Sequence, residues 1–127
     1  SGRGREETEV EPTPYVPEIC RKIEKAIETL GQFIEHVKIV AKRMVDIKEF
    51  SYELYLDVSE LEGSFRALKE YAKGRYQEVV EIVDEILVKI DYIKDLISSL
   101  NPPPEALLKW LTNLHDRLEL EKNRLCR

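Results

Sequence analysis

Apolar residues recur along this chain at alternating steps of four and three. Ile19, Ile23, Ala26, Leu30, Phe33, Val37, Val40, Met44 and Ile47 form a first stripe, and Leu54, Val58, Leu61, Phe65, Leu68 and Ala72 a second. Val79, Val83, Ile86, Ile90, Ile93, Ile97 and Leu100 form a third, and Leu107, Leu111, Leu114, Leu118 and Leu125 a fourth. This spacing keeps each set on one face of an α-helix, and charged residues fill most of the gaps. The third stripe is rich in Ile and Val, which favour strands. Its four-and-three spacing nevertheless holds from Val79 to Leu100, so helix is the expectation there too.

The residues between stripes supply the punctuation. Pro17-Glu18 and Pro104-Glu105 suit helix starts, because proline is tolerated in the first turn and an acid there complements the macrodipole. Lys73-Gly74 predicts a stop with the glycine in a left-handed cap, and Asn101-Pro102-Pro103-Pro104 ends the third helix. Between the first two stripes there is neither glycine nor proline. One rod would run for about 80 Å, so a break is placed between Asp46 and Ser51, with Asp46 and Glu49, or Ser51, as caps. Glu121 falls where the fourth stripe is due an apolar residue, which predicts thinner packing near that end.

Short connections between helices make sequential neighbours antiparallel. The expected fold is all-α, an antiparallel up-down-up-down four-helix bundle over 17–127 with an extended N-terminal leader over 1–16. The leader carries Glu6, Glu7, Glu9, Glu11, Pro12 and Pro14 without apolar periodicity, and Ser1-Gly2-Arg3-Gly4 reads as a processing scar.

Charge narrows the function classes. The chain of 127 residues has a formal net charge of −5, with Lys and Arg interleaved among Glu and Asp, and no basic stripe for phosphates. No apolar run approaches the ~18 residues of a membrane span. Nucleic acid and membrane are therefore not expected partners.

Two cysteines stand near opposite ends of the helical region. In an even-numbered antiparallel bundle the first turn of the first helix lies beside the last turn of the last, so a Cys20–Cys126 disulfide is expected. Two reduced thiols are the alternative in a reducing compartment. An oxidising or extracellular location follows if the bond forms.

No glycine-rich phosphate loop, Cys-x-x-Cys or supported Ser/His/Asp arrangement is present, so no catalytic residue is assigned and the chain is not expected to be an enzyme. His36 and His115 lack the Glu-x-x-His pattern of di-metal bundles, and no metal or cofactor is expected. Both histidines are placed on solvated faces, with His115 near enough to Glu119 for a surface pair. Glu78, Glu81, Asp84 and Glu85 fall on the polar side of the third helix.

More informative are residues out of place for a bare bundle. Tyr52, Leu56, Ser59 and Gly63 lie opposite the second stripe, and Val88 and Tyr92 lie outward or flanking on the third helix. Together they make a candidate partner-binding patch for another protein. Gly31, inside the first helix, is a second oddity. The third helix also carries Val80, Ile82, Leu87 and Leu96 beside its stripe, a face for the bundle to fill or for two copies to share. A monomer is expected rather than a dimer.

Pro17-Glu18-Ile19-Cys20 at one end and Cys126-Arg127 at the other resemble the terminal cysteine pair of the four-helix cytokines. That resemblance implies a secreted ligand bridging receptor chains, and an up-up-down-down path with two long crossovers. Short loops, Pro-Glu starts, heptad stripes and a terminal staple also resemble de novo designed helical bundles. This second likeness implies a scaffold of designed origin, with a transplanted binding surface accounting for Gly31, Gly63 and the outward tyrosines.

Overall fold

A computed structural model describes residues 16–127, so the expected leader lies outside the described residues apart from Val16. Four helical rods are formed by five segments: α1 (Glu18–Ala41), α2 (Ile47–Ala72), α3 (Gln77–Leu87), α4 (Ile90–Ser98) and α5 (Glu105–Leu125). The described residues form no strand.

α1 buries the first stripe from Ile19 to Val40 and then stops. Arg43 takes a left-handed φ of 59°, which lets the Arg43 N–H reach the Val40 carbonyl and the Met44 N–H reach the Ile39 carbonyl, both at 3.0 Å. This double closure satisfies carbonyls that the helix end would otherwise leave unpaired. It also corrects the first stripe. The chain changes hand at Arg43, so Met44 lies past the helix and is 71% exposed, while Ile47 is buried as the first residue of α2.

Asp46 caps α2 as expected, its carboxylate accepting the Lys48 N–H at 2.9 Å. At the far end of α2 the positive φ expected of Gly74 is present, at 82°, but in a tighter device than a helix cap. Lys73 is extended (φ −64°, ψ 136°) and the Arg75 N–H bonds the Ala72 carbonyl at 3.0 Å, which is a type II turn with glycine at its third position. A Cβ on Gly74 would meet nothing within 4 Å. Gly74→Ala should therefore cost about 1 kcal/mol from backbone strain alone, read by urea unfolding. An unchanged midpoint would mean the turn relaxes to another type.

The third rod departs from expectation, since helix is interrupted at Val88-Lys89 with neither glycine nor proline present. Val88 (φ −71°, ψ −14°) and Lys89 (φ −102°, ψ 0°) remain right-handed while the ladder loosens. The local sequence is crowded with Ile82, Val83, Ile86, Val88, Ile90 and Ile93, and branching at Cβ weakens helix against the preceding turn. The stripe still reaches the core on both sides of the break, through Ile86 and Ile90.

Cross-helix contacts fix the arrangement. Thr29 meets Ser64 and His36 meets Asp57, so on α2 the partner's number falls as that on α1 rises. The same falling order joins α2 to the third rod (Glu62 with Lys94, Lys69 with Asp84) and α3 to α5 (Glu78 with Arg124, Glu85 with Arg117). It also joins α1 to α5, where Cys20 and Cys126 form a disulfide with Cα atoms 5.8 Å apart and Glu24 faces Lys122. Phe33, Phe65, Leu30, Leu61, Ile86 and Leu114 fill the centre, essentially without solvent contact. Val80 and Ile82 are buried as well, and Leu87 and Leu96 pack against this core, so the wide apolar face of the third rod is consumed within the chain.

Candidate functional site

Two regions carry more than packing: a polar seam between α1 and α2, and the exposed apolar residues of α2, α4 and α5.

The seam is built by positions beside the apolar stripes. Thr29 donates to the Ala26 carbonyl and shares a 2.7 Å hydrogen bond with Ser64. About two turns further along α1, the His36 Nδ1 lies 2.5 Å from Oδ2 of Asp57, and the ring meets Phe50 edge-on at 5.1 Å. Asp57 is only 3% exposed, and burial pushes its carboxyl above the ordinary 3.8, against the opposing pull of the His36 hydrogen bond and charge. A carboxylate can only accept, so with Asp57 ionised the imidazole donates from Nδ1.

This corrects the placement of His36 on a solvated face. The ring lies between two helices because α2 supplies a buried acid at its level. His115 is also part-buried, and its acid neighbour is Asp116 at 3.7 Å rather than Glu119. A His–Asp pair can serve a nucleophile through the second ring nitrogen, but among the described residues no hydroxyl or thiol is hydrogen-bonded to the His36 ring. No group of three or more His, Cys, Asp or Glu among the described residues could hold a metal ion. Of the acids expected on the outer side of the third helix, Glu78, Asp84 and Glu85 are tied to other helices, while Glu81 accepts from Gln77 of its own helix. Arg117 grips Glu85 through two hydrogen bonds of 2.9 and 2.7 Å, holding that carboxyl below its usual range.

The six residues of the candidate patch are all exposed, but they lie in two places. Tyr52, Leu56, Ser59 and Gly63 occupy the outer ridge of α2, with Tyr52 69% and Leu56 47% exposed. Between that ridge and α4 runs a polar seam in which the Tyr55 hydroxyl bonds Ser98 and Lys94 bonds Glu62. Val88 and Tyr92 turn towards α5 instead. They line a cleft of about 520 Å³ with Lys89, Pro104, Leu107 and Trp110. The cleft opens where it does because α4 leans on α2, whereas the closer approaches of α5 are to α1 and α3.

Lys89 sits above the cleft, its ammonium 5.7 Å from the Tyr92 ring and 5.4 Å from the Trp110 ring. Both distances are within cation–π range. Val88, at the break, is 79% exposed beside them. Trp110 was not among the residues singled out from sequence. Its signal was there: it is the sole tryptophan and falls one step beside the stripe position Leu111, on the flank of α5 rather than in its core.

Among the described residues, no helix is long and apolar enough to cross a membrane. Comparison with known proteins gives no matching family model, no matching curated protein and no matching solved structure.

Proposed function

We propose that this chain is a non-enzymatic, protein-binding helical bundle whose α4–α5 cleft receives an apolar or aromatic element of another protein. The supporting observation is the cleft itself: tyrosine and tryptophan rings under one lysine, beside a valine left 79% exposed where the third rod breaks. Tryptophan and tyrosine in a concave apolar site are the residues that dominate binding energy at protein interfaces. The disulfide supports an oxidising or extracellular compartment.

A scaffold of designed origin without a partner is the plainer reading. Left-handed Arg43 and Leu100 and the break at Val88-Lys89 depart from idealised bundle geometry and weigh towards a chain shaped for binding. A cytokine-like ligand shares the terminal disulfide, but the connections 42–46, 73–76 and 99–104 are too short for its crossovers.

The test is selection of displayed peptides against the oxidised protein, followed by affinity measurement through Trp110 fluorescence. Binders should weaken by at least about tenfold on Val88→Arg, with circular dichroism unchanged. Binders indifferent to Val88→Arg and to Tyr92→Ala would overturn the assignment of the cleft.

A further inference from the structure

The outer ridge of α2 lies on a different face from the cleft and carries an ordered sequence of its own. Along one flank stand Lys48, Tyr52, Ser59, Arg66 and Glu70, at successive steps of four, seven, seven and four. Steps of four and seven keep residues on one side of a helix. The spacing is a palindrome about Ser59, and its chemistry is complementary across that centre: a cation and an acid at the ends, an aromatic ring and a guanidinium inside them. All five side chains are exposed.

We infer that this ridge is a self-complementary surface whose partner is a second copy of the chain, packed antiparallel through α2 about a two-fold axis at Ser59. A two-fold operation pairs each residue with its mirror position, which is the condition for an isologous interface. Lys48 then faces Glu70 of the other copy, and the Tyr52 ring faces the Arg66 guanidinium. Each pair occurs twice. Leu56, 47% exposed, comes within one residue of level with Gly63 of the other copy, where an added Cβ would meet nothing within 4 Å and a leucine side chain finds room.

A shallow crossing angle keeps the end pairs within reach over the length of α2. Within one copy Arg66 pairs with Glu62 at 2.8 Å and Glu70 with Lys73 at 3.0 Å. Arg66, Glu70 and Lys73 are exposed, and Glu62, which is part-buried, keeps Lys94 as a second partner, so sharing the Arg66 and Glu70 charges across the two-fold costs little. Lys48 makes no ion pair among the described residues.

The opposite flank of the ridge carries Glu49, Glu53 and Glu60. Glu60 lies next to the centre and meets its own copy, a like-charge contact that limits affinity. One helix ridge against another also falls short of a standard interface, so the dimer is expected to be weak, with a dissociation constant of about 0.1 to 1 mM. The chain is then a monomer when dilute and a dimer when concentrated.

The register can be tested with two charge reversals. Lys48→Glu places acid against acid at both ends, and Glu70→Lys places lysine against lysine. Sedimentation equilibrium of the oxidised protein from about 10 µM to 2 mM should show wild-type dimerisation weakened at least about tenfold by either variant alone. An equimolar mixture of the two should recover wild-type association, because each mixed pair restores both contacts. Glu60→Gln should tighten the dimer, and Leu56→Arg should abolish it. All these sites are exposed, and circular dichroism checks that the fold is kept. A wild-type mass constant over the whole range would overturn the inference, as would association indifferent to Lys48→Glu or a mixture that fails to recover it.

Discussion

Replacing His36 by alanine is expected to destabilise the bundle by about 2 to 3 kcal/mol at neutral pH, and by much less near pH 3. The reason lies in Asp57. Its carboxyl is almost without solvent contact and its charged form is opposed chiefly by burial, with Glu60 adding a smaller repulsion and His36 the main relief. Removing the imidazole leaves an ionised acid buried beside apolar neighbours. Because burial raises the folded-state pKa above the unfolded value, the contribution of this carboxyl is fully present below about 3.8 and is lost as pH rises through its raised value. The cost of His36→Ala should grow across that same window.

Asp57→Asn keeps the shape and an acceptor for the imidazole without the charge. It should be close to neutral alone, and in the double variant it should recover most of the loss caused by His36→Ala. Urea unfolding of the four proteins from pH 3 to 8 gives the cycle directly. Comparing variants matters because Glu62 and Glu85, held below their usual range by Arg66 and Arg117, push overall stability the opposite way as pH falls. A His36→Ala cost that is the same at pH 3 and pH 7 would refute this account.

Opening the disulfide is the second large effect. Cys20 and Cys126 are separated by 106 residues, and closing a loop of that length restricts the unfolded chain by about 4 to 5 kcal/mol in the entropic picture. Reduction, or Cys20→Ala with Cys126→Ala, should lower the melting temperature by well over 10 °C while leaving helical dichroism at 25 °C largely unchanged. The retained structure rests on a core that runs without interruption from Ile19 to Leu118 and needs no sulfur bridge to be assembled. Loss of helicity at 25 °C on reduction would show that packing alone does not hold the bundle.

Much of this architecture is legible in residue order because stripes and punctuation report burial and backbone freedom directly. The capping role of Asp46, the positive φ of Gly74 and the meeting of Cys20 with Cys126 all follow from such signals. Two features escape them. At Val88-Lys89 the interruption comes from cumulative crowding of β-branched residues, and no single residue announces it. The end of α1 is hidden because Arg43, not glycine, takes the left-handed turn.

The candidate site was less legible, since stripes identify what faces the core and are silent on what lies beside them. The His36–Asp57 pair was recoverable by another route. His36 lies ten residues before Asp46 and Asp57 ten after Ile47, and Thr29 and Ser64 stand seventeen from the same turn. Reflecting the sequence through the turn brings both pairs level. Treating α2 and the third helix as one outward surface failed for a related reason. Neighbouring rods of a bundle present their outer sides in diverging directions, so Tyr52 and Leu56 share a ridge while Val88 and Tyr92 turn towards α5.

The bond between the first turn of α1 and the last turn of α5 makes the helical region a covalent ring. A pulling force applied to the segments outside Cys20 and Cys126 would pass from one to the other through sulfur, leaving the helices unstretched. The same closure keeps the two pieces of a chain cut within the Lys73–Tyr76 connection joined under non-reducing conditions, heavier only by the water of hydrolysis, and releases them when a thiol is added.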